Sequence, residues 1–284
     1  MAGVMRRLRS DLTEMYPEGE AAAVARLIFH ALKGWDATQI IIHSSDEVTP
    51  FIRRRIAEIL SRLRRHEPIQ YILGEARFYG LDLKVNRDTL IPRHETEELV
   101  DMIVKEYGGR SDLQVLDVGT GSGAIAIALS RNLRFPEITA IDISEGALEV
   151  ARENASRLHA RIRFEQKDIF GWNPPREFFD IIVSNPPYVM EREKRDMEAN
   201  VLEYEPAGAL FVPDADPLVY YRRIARLGLE ALAQRGRIYF EINPLCAQEM
   251  QDMMERMGYT DVELREDISH RKRFLAATLL AISN

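Results

Sequence analysis

The residues best suited to chemistry are Asn185-Pro186-Pro187-Tyr188, which complete a short apolar run that begins at Phe179. Neither proline has a backbone N–H, and Pro186 also keeps Asn185 out of helical geometry. The Asn185 side-chain oxygen and a backbone carbonyl then stand as hydrogen-bond acceptors, while the Tyr188 ring can cover a planar group. This pattern predicts a grip on the two hydrogens of an –NH₂ group; a plain proline turn is the alternative.

Three glycines at alternate positions mark a second motif, Asp117-Val118-Gly119-Thr120-Gly121-Ser122-Gly123, where an apolar run passes into a helical pattern. Glycines let the backbone come close to a ligand, and the free N–H groups at a helix start can bind a carboxylate or phosphate. The residues expected to contact a cofactor are Gly119, Thr120, Gly121, Ser122 and Gly123. The spacing alone also suits NAD, and a tight turn without a ligand is a further alternative.

Two carboxylates follow the next two apolar runs. Asp142 lies about twenty residues after the glycines, where it can accept hydrogen bonds from both ribose hydroxyls of an adenosine. Asp168 is placed to accept from an adenine amino group, with Ile169 beside the ring. A solvated carboxylate or a helix cap is the alternative for each acid. The –NH₂ grip beside this predicted adenosine pocket favours S-adenosylmethionine as the cofactor, and Asn185 is expected to border it too.

An alternation of strands and helices must position these motifs. Apolar runs predict seven strands, of which the last two are close enough in sequence for an antiparallel hairpin. The predicted strands are 113–119, 138–144, 161–166, 179–185, 236–242, 260–266 and 273–280, and the predicted helices are 95–107, 122–131, 146–158 and 246–257. The expected fold is therefore α/β, with a Rossmann-like, mostly parallel sheet. Ligands of such sheets bind at the carboxyl ends of the strands.

A different pattern precedes the sheet. Helices are expected at 19–33 and at 51–66, the second with one apolar stripe, six arginines mostly elsewhere, and Pro68 after its end. A glycine-containing hairpin or linker follows. The resulting domain limits are 1–84 for a small helical domain with its hairpin linker and 85–284 for a catalytic domain.

Composition excludes several classes of protein. The chain has 284 residues, 46% hydrophobic and 29% charged, unlike a disordered or fibrous protein. Its formal net charge of −7 opposes long-range attraction to nucleic acid. Cys246 is the single cysteine, which excludes an intrachain disulfide and a cysteine-rich zinc cluster, and no metal is expected at the site. With no apolar run typical of a signal peptide or a membrane span, a cytoplasmic location is expected.

The two motifs and several further stretches resemble the release-factor glutamine methyltransferase (HemK-type) family of class I S-adenosylmethionine-dependent methyltransferases. The resemblance spans nearly the whole chain. The further stretches are Glu67-Pro68-Ile69-Gln70-Tyr71, Gly74, Phe78-Tyr79-Gly80, Leu90-Ile91-Pro92-Arg93, Glu95-Thr96-Glu97 and Tyr204-Glu205-Pro206. Two positions depart from the family pattern, because Asn243 and His270 stand where glycines are usual. These departures bear on loop shape.

The resemblance implies a function and a partner. Family members use S-adenosylmethionine to methylate the side-chain amide of the glutamine in the Gly-Gly-Gln motif of peptide chain release factors. It also implies that residues 119–123 and Asp142 hold the methionine and ribose parts of the cofactor, with Asp168 and Ile169 near adenine.

The same resemblance assigns the substrate side of the site. The implied catalytic residues are Asn185, Pro186, Pro187 and Tyr188. Asn185 and the Pro186 carbonyl would hold the substrate amide. The Asn185 –NH₂ would donate to a neighbouring acceptor such as the glutamine carbonyl oxygen. Phe78 and Arg93 are expected to border the mouth of the site.

Other functions stay open at this point. A glutamine of a ribosomal protein is one alternative substrate. An exocyclic amine of a nucleic acid is another, because the same grip suits it and the arginine-rich helix at 51–66 would attract phosphates. A binding protein without turnover is a third alternative, against which the glycine turn and Asn185 both stand intact.

Overall fold

The computed structural model describes residues 2–280, apart from the side chains of Ala2 and Ser44. The chain forms two compact units. The first comprises the described residues up to Gly74 together with Glu198–Tyr204. The second comprises Glu75–Met197 and the described residues from Glu205 onward. None of the described helices is both long and apolar enough to cross a lipid bilayer.

The first unit is helical. Its helices are α1 (Ala2–Thr13), α2 (Glu18–Lys33), α3 (Ala37–Ile42), α4 (Pro50–Leu63), α5 (Ile69–Leu73) and, much later in the chain, α9 (Ala199–Tyr204). The apolar faces of these helices bury one core that includes Leu12, Ile28, Phe29 and Leu63. The Tyr204 hydroxyl donates to the Arg65 carbonyl at 2.6 Å, which attaches α9 to this unit.

Both predicted N-terminal helices are confirmed, with one difference in length. α2 ends at Lys33, and the next residue, Gly34, has φ 69°, a left-handed conformation that glycine adopts without strain. α4 starts after Thr49, whose hydroxyl accepts the Ile52 N–H. The helix stops at Leu63 rather than at residue 66, because His66 turns left-handed with φ 60°.

The second unit carries the strands. They are β1 (Glu75–Phe78), β2 (Leu81–Lys84), β3 (Gln114–Val118), β4 (Glu137–Asp142), β5 (Ile162–Gln166), β6 (Phe179–Ser184), β7 (Val189–Met190), β8 (Phe211–Val212), β9 (Leu232–Glu241), β10 (Tyr259–Glu266) and β11 (Lys272–Leu279). Its helices are α6 (His94–Tyr107), α7 (Ala124–Asn132), α8 (Glu145–Arg157), α10 (Val219–Ala231) and α11 (Ala247–Arg256).

Seven of these strands form one sheet in the order β10-β11-β9-β6-β3-β4-β5. The strands from β9 to β5 are parallel, and β11 is antiparallel to both of its neighbours. The expected α/β fold, the seven strands and the final hairpin are thus confirmed. α6 and α7 pack on one face of the sheet, and α10 and α11 on the other.

Strand register brings the motifs together. Val118, the last residue of β3, pairs with Ile141 of β4 on one side and with Ser184 of β6 on the other. The residues that directly follow Val118, Ile141 and Ser184 in sequence are Gly119, Asp142 and Asn185. These three residues therefore lie side by side at the carboxyl edge of the sheet.

Some features of the second unit were not predicted, among them the short strands β7 and β8. α10 had no counterpart in the sequence analysis, and β9 begins at Leu232, four residues before the predicted start. The β1–β2 hairpin buries Phe78 and Leu83 completely in the core of this unit. The domain limits 1–84 and 85–284 stay a prediction. In the structure, the hairpin at 75–84 packs in the core of the second unit.

Candidate active site

A cavity of about 490 Å³ opens at the carboxyl edge of the sheet in the second unit. This volume lies in the usual range for a small-molecule site, roughly 300 to 1,000 Å³. The predicted site residues that line it are Gly119, Thr120, Gly121, Ser122, Asp142, Asp168, Ile169, Asn185, Pro186 and Pro187. Gly123 and Tyr188 are absent from the described lining.

Left-handed glycines shape the turn after β3. Gly119, Gly121 and Gly123 have φ of 74°, 55° and 82°, a region that other residues enter at a cost. A Cβ at Gly119 or Gly121 would project into open space, whereas one at Gly123 would lie 3.1 Å from Ile127 and 3.2 Å from Ala151. Gly119 and Gly121 therefore leave room above the turn, and Gly123 allows α7 to pack against α8.

Asp142 supports the same turn from the neighbouring strand. Its Oδ2 accepts the Gly121 N–H and its Oδ1 accepts the Ser144 N–H, both at 2.9 Å. Burial raises the pKa of Asp142, while these N–H groups oppose the shift. A carboxylate has about four acceptor positions, so roughly two remain for hydroxyl groups of a ligand.

Asp168 and Ile169 lie just beyond β5. Oδ1 of Asp168 accepts the Phe170 N–H at 2.9 Å, so this carboxylate helps to form a turn, the kind of local role weighed as its alternative. The Asp168 side chain is exposed and lines the cavity, which leaves its second oxygen accessible to a ligand. Ile169 is half-buried beside it.

Hydrogen bonds fix the orientation of the Asn185 side chain. Its Nδ2 donates to Oγ1 of Thr96 at 3.2 Å, and the Thr96 hydroxyl donates to Oε2 of Glu241 at 2.6 Å. The expected donation from Asn185 thus goes to Thr96, a residue of the same chain. Oδ1 of Asn185 is left as an acceptor in a half-buried side chain that lines the cavity.

Tyr188 is attached to the sheet behind the cavity wall. Its hydroxyl donates to Oε1 of Glu241 at 3.0 Å, and its carbonyl accepts from Nδ2 of Asn243 at 3.1 Å. Glu241 is 1% exposed, and burial raises the pKa of both Glu241 and Tyr188. A role for the Tyr188 ring over a substrate stays a prediction.

A second buried carboxylate lies under the glycine turn. Oδ2 of Asp117 accepts the Thr120 hydroxyl at 2.7 Å, while its Oδ1 has no hydrogen-bond partner among the described residues. Burial raises the pKa of Asp117 to about 7, although the Thr120 hydroxyl and the Ala126 backbone pull it down. Asp117 is thus a fully buried carboxyl group that holds the glycine turn through Thr120.

The two expectations for the mouth of the site have different outcomes. Arg93 lines the cavity and pairs with the buried Glu205 at 2.6 Å. Phe78 is fully buried in the hydrophobic core, so the prediction that it borders the mouth was wrong. Alternate residues of β1 are buried, and Phe78 is on the buried face.

Several lining residues were given no role by the sequence analysis. They include Leu90, Pro92, Thr96, Ile143, Phe170, Pro206 and Tyr220. Some of them lie in stretches that resemble the family. The resemblance marked these stretches but did not predict what their side chains contact. Thr96 and Glu241 could not be connected from sequence, because 145 residues separate them.

The backbone conformation differs at the two positions that depart from the family pattern. Asn243 has φ −68°, which any residue adopts, and its Nδ2 also donates to Oε1 of Glu193 at 2.8 Å. The side chain therefore braces the loop in place of a glycine. His270 has φ 59°, a conformation that glycine would adopt at lower cost.

These observations fit a ligand that contains adenosine. The left-handed glycines leave open space over the turn, Asp142 and Asp168 have acceptor positions to spare, and Ile143 and Phe170 add exposed apolar surface beside them. Asn185 lies on the adjacent strand end. The cavity thus has open space, acceptor oxygens and exposed apolar surface beside an asparagine side chain.

Comparison with known proteins agrees with this geometry. Residues 115–203 match the methyltransferase domain family, and residues 4–74 match the PrmC N-terminal domain family. A methyltransferase structure from Pyrococcus furiosus covers 81% of this chain and 98% of its own, with TM-score 0.53 and 16% identity, which supports the class I methyltransferase fold.

Curated relatives are more specific. The release factor glutamine methyltransferase of Bacteroides thetaiotaomicron is 47% identical over 271 residues, which is 95% of this chain and 97% of the relative. That of Flavobacterium psychrophilum is 39% identical over 93% of this chain and 94% of the relative. At this identity and coverage, the chain belongs to the release factor glutamine methyltransferase family.

Proposed function

We propose that this protein methylates the side-chain amide nitrogen of the glutamine in the Gly-Gly-Gln motif of peptide chain release factors, with S-adenosylmethionine as methyl donor. Family membership supports the reaction and the class of substrate. The observation that carries the proposal is the orientation of Asn185. One Nδ2 hydrogen is donated to Thr96, and this orientation leaves Oδ1 as an acceptor for a substrate.

An outward oxygen selects for a substrate that carries N–H. The –NH₂ of a glutamine side chain can donate to Oδ1 of Asn185, and a second N–H can donate to the carbonyl of Pro186. The carboxylate of a glutamate has no hydrogen to donate and would be repelled by the same oxygens. The arrangement therefore suits an amide and disfavours an acid of the same shape.

The chain has to orient the nitrogen, because an amide is a poor nucleophile. S-adenosylmethionine, when bound, supplies a methyl group that is already activated as a sulfonium. Two acceptors on the –NH₂ hold its plane and favour lone-pair donation as the new N–C bond forms. The nitrogen gains one methyl group and releases one proton to solvent, so no base, metal or covalent nucleophile is required of the chain.

The cofactor residues follow from the cavity. We assign the methionine and ribose parts to residues 119–123 and Asp142, and the adenine part to Asp168 and Ile169. Left-handed glycines without side chains over the turn support the first assignment. The exposed Asp168 carboxylate beside Ile169 supports the second.

The alternative substrates have less support. The curated relatives are named for release factors, which favours neither a ribosomal protein nor a nucleic acid. We assign recognition of the release factor to the helical N-terminal domain, whose match to a family-specific domain supports a role particular to this family. A cytoplasmic location, where release factors act, accords with this substrate.

Transfer of labelled methyl groups tests the proposal directly. The protein is incubated with labelled S-adenosylmethionine and either a release factor or nucleic acid, and the modified residue is located by mass spectrometry. Label on the Gly-Gly-Gln glutamine is the expected result. Label on another residue, or on nucleic acid alone, would overturn the proposed substrate.

A variant tests the role of Asn185 in the same assay. Asn185→Ala should lower methyl transfer by at least about a hundredfold, because an acceptor that acts mainly in the transition state is worth about 2.7 to 4 kcal/mol. Cofactor affinity should barely change. Asn132→Ala is a matched control, since it removes an asparagine that donates only to a helix carbonyl.

A further inference from the structure

Glu241 is a buried carboxylate that accepts hydrogen bonds from two residues next to the substrate grip. Its Oε2 accepts the Thr96 hydroxyl at 2.6 Å and its Oε1 accepts the Tyr188 hydroxyl at 3.0 Å. Glu241 is 1% exposed and Thr96 is 5% exposed. Among the described residues, the Thr96 end of this network is the one that contacts Asn185.

The chemistry of these groups dictates the direction of every hydrogen bond. The Thr96 and Tyr188 hydroxyls each donate to one oxygen of Glu241, so the single Thr96 hydrogen points at Glu241. The Thr96 oxygen then has only lone pairs left for Asn185. Asn185 must therefore turn Nδ2 toward Thr96 and Oδ1 toward the cavity, because the opposite orientation would place two oxygens face to face without a hydrogen.

We propose that Thr96 and Glu241 are positioning residues that set the orientation of the Asn185 amide, and thereby make the site select a substrate with N–H groups. The carboxylate acts at a distance from the cavity through one hydroxyl. This inference deepens the proposed function and rests on it for the nature of the substrate. The orientation itself is a property of the protein alone.

Threonine variants separate hydrogen bonding from packing. Thr96→Val keeps the shape of the side chain and removes the hydroxyl, so the Asn185 amide is free to rotate. Methyl transfer to the release factor should then fall by about tenfold or more in kcat, which is part of the loss expected when the acceptor is deleted. Thr96→Ser restores the hydroxyl and should recover activity to within about threefold.

Two measurements guard against a general structural effect. Cofactor affinity should change little in Thr96→Val, because the cofactor turn is not altered. The melting temperature should fall, since the buried Glu241 loses one donor, and its value shows whether the variant is folded at the assay temperature. Thr260→Val is the matched control, since it removes a threonine hydroxyl of β10 that donates to the Thr278 carbonyl of β11. Equal losses of kcat in Thr96→Val and Thr96→Ser would overturn the inference.

A substrate-independent measurement distinguishes this inference from the proposed function. With asparagine side chains labelled with ¹⁵N, one Nδ2 proton of Asn185 should exchange slowly with solvent in the wild type and in Thr96→Ser. The same proton should exchange faster in Thr96→Val. Unchanged exchange in Thr96→Val would refute the positioning role even if release factor is methylated. A wild type that protects this proton but labels another substrate would refute only the proposed substrate.

Discussion

The direction of the hydrogen bonds around Thr96 predicts the outcome of a double substitution. Asn185→Asp places a carboxylate where Nδ2 now donates to Thr96 at 3.2 Å. The single Thr96 hydrogen is already donated to Glu241 at 2.6 Å. Two carboxylates would then compete for one hydrogen, and one buried acceptor would lose its donor. This loss should cost about 1 to 3 kcal/mol in the free energy of unfolding, and methylation should be poor.

Glu241→Gln introduces the opposite defect. The new –NH₂ must face either the Thr96 or the Tyr188 hydroxyl, both of which now donate to Glu241. If it faces Thr96, that oxygen receives two donors and its own hydrogen has no acceptor. We expect a cost of similar size, about 1 to 3 kcal/mol.

Together, the two substitutions should compensate. The amide at position 241 donates to Thr96, the Thr96 hydroxyl donates to the carboxylate at position 185, and the amide oxygen still accepts from Tyr188. Every group is satisfied with the chain of hydrogen bonds reversed. The double variant should therefore be more stable than the sum of the single effects by about 0.5 to 3 kcal/mol, the range for residues in one network.

Urea denaturation of the four proteins at one pH measures this coupling. Additive effects, within about 0.5 kcal/mol, would refute the reasoning. The control cycle combines Asn185→Asp with Asp180→Asn, a carboxylate near the opposite end of β6 that accepts the Gln114 N–H. That pair shares no hydrogen-bond partner and should be additive.

Three further predictions concern the cofactor side of the site and the domains. Asp142→Ala should weaken S-adenosylmethionine by about 1 to 3 kcal/mol in calorimetry, and unchanged affinity would remove Asp142 from the site. A chain that begins at Glu75 keeps the hairpin whose Phe78 is buried with the sheet; it should bind cofactor but lose methylation of intact release factor, and full activity would contradict the role given to the helical domain. Burial raises the pKa of Asp117 to about 7, against roughly 3.9 in an unfolded chain, so the folded protein keeps a proton that the unfolded chain has lost. The free energy of unfolding should fall by up to about 4 kcal/mol as the pH rises from about 4 to 7. Asp117→Asn should remove this fall, and parallel pH profiles of the two proteins would show the assignment to be wrong.

The fold could be predicted in most of its parts because its signals are local. Each parallel strand is a short apolar run between turn residues, and the glycine motif marks where β3 passes into α7. α10 was missed although Tyr221, Ile224 and Ala225 recur on its buried face. The helix starts after Leu218, which offers no capping side chain, so the sequence lacks the usual signal for a helix N-terminus there.

A site residue could be predicted from sequence only where the motif at one strand end indicates its role by itself. Asn185 was identified from its own neighbours in sequence, whereas Thr96 and Glu241 belong to other elements. Their contact depends on how α6 lies across the end of β9, and side-chain periodicity does not encode such a crossing. Phe78 is different, because the alternation of exposed and buried residues along Glu75–Phe78 places it on the buried face, a local signal that the prediction for the mouth did not use.

Both halves of the site use a buried carboxylate with a threonine as its donor. Asp117 accepts the Thr120 hydroxyl under the cofactor turn, and Glu241 accepts the Thr96 hydroxyl under the substrate grip. A buried carboxylate is costly to the fold, and burial raises the pKa of each one. In exchange, each carboxyl oxygen fixes the direction of the threonine hydroxyl that donates to it, so this part of the site is ordered before a ligand arrives. An apolar replacement of either carboxylate alone would leave a buried hydroxyl without its acceptor, so we expect both stability and methyl transfer to fall.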